Sequence, residues 1–102
     1  MEFEAPSNNG FTIYGKSGCP NCVKVKGLLK YKTVQFNIVD CDEYIIEEND
    51  KAQFLSFIKS KARRECKSFP MVFFNGSFIG GYTETKKYIE EKYVSFEESL
   101  SF

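Results

Sequence analysis

The sequence predicts an α/β fold in which helices flank a mixed four-stranded sheet. Short apolar or alternating segments, typical of strands, alternate with stretches of helical periodicity in the order β-α-β-α-β-β-α. A helix joins the first two strands, which favours a parallel pair with a right-handed crossover. An Asn-Gly turn joins the last two strands, which favours an antiparallel hairpin. Residues 1–102 have the length of a single domain with one core.

The first half of the chain predicts two strands joined by a helix. Residues 1–9 are expected to form a loose lead-in, and the apolar residues 11–15 a short buried strand. The helix is predicted over Pro20–Tyr31, and residues 34–38, in which apolar and polar side chains alternate, form the second strand. One face of the predicted helix is apolar and consists of Cys22, Val25, Leu28 and Leu29.

The second half predicts two helices around the hairpin. One helix spans about Glu47 to Ala62, with an acidic start and a basic end that complement the helix dipole. The hairpin strands are residues 71–74 and 77–79. The last helix runs from about Thr83, its expected N-cap, to Tyr93. Residues 95–102 are expected to form a loosely packed tail.

Composition and charge argue against several classes of function. The chain carries 14 basic and 14 acidic residues, so it lacks the basic excess of most nucleic-acid binders. Its apolar runs are all far shorter than the roughly 20 residues of a membrane-spanning helix. Its first residues lack the basic and apolar regions of a signal peptide. We expect a cytoplasmic protein with no nucleic-acid or membrane partner, and we expect it to be a monomer.

Cys19-Pro20-Asn21-Cys22 is the most informative motif in the chain. In a reducing compartment, a C-x-x-C pair at a strand-to-helix junction indicates catalysis or metal binding more often than a structural disulfide. The predicted helix start and Lys16 both favour a thiolate at Cys19. Cys22 lies one turn further on the apolar face, which favours its protonated form. The chain has no histidine, so the thiolate must form without a histidine base.

The other two cysteines leave an alternative open. Together with Cys41 and Cys66, the C-x-x-C pair could form a four-cysteine zinc site, although the spacings are irregular and only one pair is close. We interpret Cys41 and Cys66 instead as buried or incidental thiols, and we expect no metal site.

Three motifs occur in order along the chain: Tyr14-x-Lys16-x-x-Cys19-Pro20-x-Cys22, then Ser68-Phe69-Pro70, then Gly80-Gly81. Together they resemble a dithiol glutaredoxin, a member of the thioredoxin superfamily, and the resemblance covers residues 11 to about 93. It implies a thioredoxin-like fold and glutathione-dependent thiol–disulfide exchange. The implied partners are glutathione, as the reductant, and proteins that carry disulfides or are glutathionylated.

The resemblance also implies a role for each matching residue. Cys19 is the nucleophile, and Cys22 is the resolving thiol. Pro70 matches the family's cis-proline, and the backbone of Phe69 pairs with the cysteinyl part of glutathione. Two basic residues, Lys16 and Lys67, are implied near the glycine carboxylate of glutathione. A loop with a helix start is implied at its γ-glutamyl end and consists of Gly81, Tyr82, Thr83 and Glu84.

Three positions depart from the family's pattern. Asn21, which we also expect to contact glutathione, replaces the tyrosine usual at the rim of the site. Phe69 replaces a common valine, and Glu84 replaces a customary aspartate. Asn21 keeps open a second hypothesis, in which Cys19 and glutathione ligate an iron–sulfur cluster on a dimer. A third hypothesis is a thioredoxin-like electron carrier served by a flavin reductase. The absence of the motif W-C-G-P-C counts against that carrier.

Overall fold

The computed structural model describes residues 2–92 and confirms the predicted fold class. The strands and helices follow one another in the predicted order: β1 (Phe11–Gly15), α1 (Pro20–Tyr31), β2 (Phe36–Asp40), α2 (Glu48–Ala62), β3 (Met71–Phe74), β4 (Ser77–Gly80) and α3 (Tyr82–Lys92). A short 3-10 turn over Asp42–Ile45, which the sequence does not predict, precedes α2. The expected tail over residues 95–102 lies outside the described residues.

The sheet contains four strands in the order β2-β1-β3-β4. β1 pairs in parallel with β2 and antiparallel with β3, and β3 pairs antiparallel with β4. The hairpin turn has positive φ at both Asn75 (49°) and Gly76 (84°), as a type I′ turn requires. Because of these directions, the carboxyl ends of β1 and β2 lie at the same edge of the sheet as the start of β3.

Apolar clusters cover both sides of the sheet. Alternation along β1 sends Phe11 and Ile13 to one side, where they pack with residues of α1 and α3. Tyr14 points to the other side, against Phe54 and Ile58 of α2. These five side chains have no exposed surface. None of the helices described is long and apolar enough to cross a bilayer.

β2 begins two residues later than the predicted strand at residues 34–38. Thr33 has a positive φ of 53°, and the N–H of Val34 donates to a carbonyl of α1, so the chain is still leaving the helix there. The strand therefore starts at Phe36. Ile38, which the alternating pattern suggests as a core residue, is 46% exposed because β2 lies at the edge of the sheet.

Residues 2–9 form no helix or strand, but the segment is less loose than expected. The ring of Phe3 packs edge-on against that of Tyr44, with 4.9 Å between centroids. The hydroxyl of Tyr14 donates to the carbonyl of Glu4 at 2.6 Å. The lead-in therefore closes part of the core on the α2 side, and a single isolated aromatic gives no periodic signal for such a contact.

Candidate active site

Cys19 is the N-cap of α1, at the point where the loop after β1 enters the helix. Its backbone is extended (φ −110°, ψ 103°), and Pro20 takes the first helical position, where a missing N–H costs no hydrogen bond. The Sγ of Cys19 accepts a hydrogen bond from the N–H of Cys22, with 3.3 Å between sulfur and nitrogen. The sulfur therefore occupies the place of a capping oxygen, where the N–H dipoles stabilise negative charge.

Cys22 lies one turn into α1 and is 1% exposed. Its Sγ faces Gly15 at the end of β1, where a Cβ would lie 3.4 Å from the sulfur. Burial raises the pKa of the Cys22 thiol to about 11, and its hydrogen-bond interaction with Cys19 acts in the same direction. The expectation that Cys22 stays protonated at neutral pH is therefore confirmed.

The loop before the nucleophile is held by Asp42, a residue that sequence analysis missed. Its Oδ1 accepts a hydrogen bond from the Ser17 N–H at 2.8 Å, and its Oδ2 accepts one from the Ser17 hydroxyl at 2.5 Å. These hydrogen bonds hold the pKa of the Asp42 carboxyl below its ordinary value. The two residues are 25 positions apart, so no local motif indicates their contact.

The peptide bond between Phe69 and Pro70 is cis, in agreement with the resemblance. Pro70 is buried directly before β3. The carbonyl of Phe69 accepts a hydrogen bond from the thiol of Cys19, with 3.7 Å between sulfur and oxygen. The backbone of Phe69 therefore lies beside the nucleophile, where the implied pairing with the cysteinyl part of glutathione requires it.

A groove of about 460 Å³ brings together most of the residues that the resemblance assigns to glutathione. Eight of the nine line it: Asn21, Lys67, Phe69, Pro70, Gly81, Tyr82, Thr83 and Glu84. Two residues of the quoted motifs, Ser68 and Gly80, also line it. Sequence analysis missed four further lining residues, which are near neighbours of the assigned ones in sequence or in the sheet: Arg64, Glu65, Cys66 and Phe78. A larger groove of about 560 Å³ lies between β4 and α3. The smaller groove is the one next to the nucleophile, because it is lined by Phe69, whose carbonyl accepts the hydrogen bond of the Cys19 thiol.

Lys16 is the assigned residue that does not line this groove. Its Nζ lies 5.6 Å from the centroid of the Phe69 ring, which is a cation–π distance. That ring in turn lies parallel to the ring of Phe54, at 6.1 Å and 2°. Of the two lysines expected near the glycine carboxylate, Lys67 is the one in the groove, and its Nζ lies 4.0 Å from a carboxylate oxygen of Glu65.

The start of α3 differs from the prediction, because the N-cap is Gly81 and not Thr83. The carbonyl of Gly81 accepts a hydrogen bond from the N–H of Thr85 at 3.0 Å. The Oε1 of Glu84 accepts one from the Gly81 N–H at 2.8 Å, which is half of a capping box. Glu84 also lies over Gly80, whose φ is 138°, and a Cβ there would be 2.7 Å from the Cβ of Glu84. The acidic residue three positions after Gly81 is the sequence signal for this cap.

The remaining two cysteines lie apart from each other, one in the core and one along the groove. Cys41 is fully buried in the core on the α2 side, and burial raises the pKa of its thiol to about 12. Cys66 lies along the groove, and burial raises the pKa of its thiol as well. Among residues 2–92, which include all four cysteines, no three His, Cys, Asp or Glu side chains are placed to bind one metal ion. The four-cysteine zinc alternative is therefore wrong for this arrangement.

The fold and the site together define a class of protein. A C-x-x-C dithiol at a helix N-terminus, beside a cis-proline and at the edge of a β2-β1-β3-β4 sheet, is the arrangement of a thioredoxin-like redox protein. The family model described as glutaredoxin matches residues 11–79. The chain belongs to the glutaredoxin family.

Individual relatives agree with this assignment. Glutaredoxin 1 of Escherichia coli is 30% identical over 84 residues, which cover 78% of this chain and 91% of the relative. The mitochondrial glutaredoxin-2 of Bos taurus is 32% identical over 90 residues, which cover 86% of this chain and 52% of the relative. The chain therefore spans about half the length of mitochondrial relatives that it matches, among them those of Bos taurus and Pongo abelii.

Solved structures show the same fold. The structure of reduced Escherichia coli glutaredoxin matches with a TM-score of 0.61 at 29% identity, over 80% of this chain and 94% of that one. Glutaredoxin 1 from Francisella tularensis, solved in complex with cacodylate, matches with a TM-score of 0.67 at 24% identity, over 79% of this chain and 92% of that one.

Proposed function

We propose that this chain is a glutathione-dependent thiol–disulfide oxidoreductase. It reduces protein disulfides and protein–glutathione mixed disulfides through Cys19 and Cys22, with glutathione as the electron donor. The observation that carries the proposal is the position of the Cys19 Sγ at the N-cap of α1, where it accepts the N–H of Cys22 and lies beside the backbone of Phe69.

Removal of glutathione from a protein proceeds by two thiol–disulfide exchanges, and both attacks occur at the same glutathione sulfur. The Cys19 thiolate attacks the glutathione sulfur of a mixed disulfide, and the protein thiolate leaves and takes up a proton. Cys19 is then bonded to glutathione. A second glutathione thiolate attacks that glutathione sulfur, so glutathione disulfide forms and Cys19 leaves as a thiolate. When the substrate is a protein disulfide, the Cys19 thiolate attacks one of its sulfurs and releases the other as a thiolate. The Cys22 thiolate then attacks the Cys19 sulfur and releases the remaining substrate sulfur as a thiolate. Two glutathione molecules reduce the resulting Cys19–Cys22 disulfide and leave as glutathione disulfide.

The groove supports glutathione as the partner thiol, because its charged groups match those of the tripeptide. Glutathione carries two carboxylates and one amine. Lys67 supplies a cation along the groove, and the first turn of α3 supplies N–H groups at Thr83 and Glu84 that can receive a carboxylate. The carboxylate of Glu84 lies at the same end and can receive the amine.

We also propose that the protein acts as a monomer in a reducing compartment such as the cytoplasm. Both cysteines of the motif and the groove belong to one chain. Exchange requires Cys19 and Cys22 to be returned to free thiols after each cycle, which a compartment poised by glutathione and thioredoxin systems provides.

The decisive experiment compares two sources of electrons. Turnover of a glutathionylated peptide is followed by NADPH consumption, once with glutathione and glutathione reductase and once with thioredoxin reductase alone. Activity in the first arm and none in the second is the expected result. Activity in the second arm alone would establish the flavin-reductase carrier instead. A coloured protein with charge-transfer absorbance after anaerobic purification, inactive in both arms, would favour the cluster scaffold.

A further inference from the structure

α1 and the segments around it carry lysines without any acidic residue. Between Gly15 and Val39 the sequence has five lysines and no Asp or Glu, although the whole chain balances 14 basic against 14 acidic residues. The five are Lys16, Lys24, Lys26, Lys30 and Lys32. This stretch includes Cys19. Two of its lysines face acidic residues from outside the stretch, because Asp40 lines a pocket with Lys16 and Lys26, and Asp42 interacts electrostatically with Lys16. The other three lysines lie along α1 and at its end.

Two apolar side chains on α1 point into solvent. Val23, directly after Cys22, is 67% exposed, and Tyr31 at the end of the helix is 81% exposed. They are eight residues apart, so they lie on one side of the helix about 12 Å from each other along its axis. Single exposed apolar side chains are common on protein surfaces, so these two support a contact surface only in combination with the lysines and the glycine between them.

Gly27 lies midway between these side chains, and the fold gives no reason for a glycine there. Its φ is not positive, and a Cβ at this position would meet no atom within 4 Å outside its immediate helical neighbours. Glycine in a helix interior is disfavoured relative to alanine. On the helix surface its neighbours at three positions are Lys24 and Lys30, and its neighbours at four positions are Val23 and Tyr31.

We propose that the α1 face, defined as Val23, Lys24, Gly27, Lys30 and Tyr31, is a docking surface for an acidic segment next to the disulfide of protein substrates. The proposal rests on the proposed function and names its substrate class. The lysines attract carboxylates, the two apolar side chains contact apolar residues between them, and the absent side chain of Gly27 lets the partner's backbone approach the helix.

The charge pattern favours an acidic polypeptide over a nucleic acid as the occupant. The α1 face is short and alternates cations with apolar side chains, and the complete chain has no net positive charge. Docking by a peptide also explains why the surface begins immediately beside the active-site pair. A substrate disulfide held at Cys19 then has its flanking residues within reach of Val23 and Lys24.

The test uses two glutathionylated peptides of equal length, one with three glutamates beside the modified cysteine and one with three lysines. At low salt we expect kcat/KM to be about tenfold higher for the acidic peptide, and we expect the ratio to fall as salt is added. The small mixed disulfide of glutathione and cysteine is measured alongside. Failure to turn over this small substrate would overturn the proposed function itself and this proposal with it.

A matched pair of variants then tests the α1 face. Gly27→Glu and Gly27→Gln both fill an open position with a better helix former, so both fold and both raise Tm. We expect Gly27→Glu to lower the acidic-to-basic ratio of kcat/KM threefold or more, as a carboxylate between two lysines would, and Gly27→Gln to keep it. Equal ratios in the two variants would overturn the proposal.

Charge reversal at the end of a helix gives an independent comparison. Lys30 and Lys61 are both exposed lysines in the last turn of their helices, α1 and α2, on opposite sides of the sheet. We expect Lys30→Glu to reduce the preference for the acidic peptide and Lys61→Glu to leave it unchanged. A loss in both variants would mean that net charge acts at long range and would overturn the docking surface. Tight binding of a single-stranded oligonucleotide, lost in Gly27→Glu and without any peptide preference, would overturn it in favour of nucleic acid.

Discussion

The ammonium of Lys16 and the ring of Phe69 are in contact across the active site, with 5.6 Å between Nζ and the ring centroid. The carbonyl of Phe69 also accepts a hydrogen bond from the thiol of Cys19, and the Phe69 ring is stacked on buried Phe54. One residue therefore supplies a backbone acceptor for the nucleophile and an aromatic partner for the ammonium of Lys16. The ring stands at the position where the resemblance leads us to expect valine, so the cation would have no aromatic partner in a protein with that residue.

This contact predicts that Phe69 and Lys16 act on Cys19 together. Lys16→Gln should slow alkylation of Cys19 at neutral pH, and Phe69→Val should slow it by releasing the ammonium. An exposed cation–π contact is worth about 0.5–1 kcal/mol, which corresponds to a two- to fivefold effect. Stopped-flow alkylation of the double variant checks the coupling: it should be no slower than Lys16→Gln alone. Additive effects would show that the ring does not act through the lysine.

Substitution of the two motif cysteines should separate two activities. Cys19→Ser should abolish all exchange, because Cys19 is the cysteine whose sulfur lies at a helix N-cap. Cys22→Ser should retain removal of glutathione from a peptide, which needs only Cys19 and a second glutathione, and should impair reduction of a protein disulfide. Parallel assays of both substrates measure this. Equal loss of the two activities in Cys22→Ser would contradict the division of roles.

The raised pKa of Cys22 predicts how the resolving step depends on pH. With a pKa of about 11, the thiolate fraction of Cys22 is small at pH 7 and grows about tenfold for each pH unit up to pH 9. The rate at which Cys22 displaces a substrate from Cys19 should therefore rise with pH over this range, because burial, the largest cause of the raised pKa, does not depend on the Cys19 thiol. Single-turnover release of a fluorescent peptide checks this, and Cys22→Ser serves as the control. A rate that levels off below pH 8 would contradict it.

Asp42 should stabilise the active-site loop only while its carboxyl is ionised. Because its hydrogen bonds to Ser17 lower its pKa from the ordinary 3.8, the stabilisation is fully present above that value and is lost as the pH falls through the lowered pKa. Asp42→Asn should therefore lower the free energy of unfolding at pH 7 and make less difference at low pH. Denaturant titrations at several pH values measure this. Ser17→Ala, which keeps the backbone hydrogen bond, should show a smaller effect, and a pH-independent difference for Asp42→Asn would be inconsistent with the contact.

Glu84 has two roles that a pair of variants can separate. Its side chain caps α3 at Gly81, and the proposed glutathione site uses its charge. Glu84→Gln keeps an acceptor for the Gly81 N–H but removes the charge, so Tm should change little while KM for glutathione rises. Glu84→Ala should also lower the free energy of unfolding, by about 1 kcal/mol. If Glu84→Gln left KM for glutathione unchanged, the carboxylate would serve the cap alone.

The sequence predicts the parts of the fold whose signals are local. α1 and β3 have the predicted boundaries, because a proline at the helix start and a compact apolar run mark them. β2 is misplaced by two residues, because the positive φ of Thr33 and the hydrogen bond of Val34 to α1 depend on how the helix ends and not on the alternating pattern. The packing of Phe3 is missed for a related reason, since its partners come from later parts of the chain.

The same division holds at the active site. The position of the motif Cys19–Cys22 at a helix start follows from a short pattern, and the cis bond at Pro70 follows from the family resemblance. The structure bears out both. Asp42 is missed because a hydrogen bond across 25 positions leaves no trace in local sequence. The resemblance implies Lys16 near the glycine carboxylate of glutathione, but the structure places Lys16 outside the groove, with its ammonium at the ring of Phe69. Sequence motifs therefore predict the position of the backbone well, whereas the direction of a long side chain depends on its contacts with residues distant in sequence.

Because Cys41 is buried, the rate at which its thiol is labelled can report how often the core opens. A thiol with no exposed surface and a pKa of about 12 cannot meet a reagent while the native core is intact. Cys41 can be labelled only when α2 separates locally from the sheet. The labelling rate therefore measures the frequency of this local opening under native conditions. Mass spectrometry that follows labelling of Cys41 and of Cys19 over time would thus measure local opening of the core and reactivity of the active-site thiol in one sample.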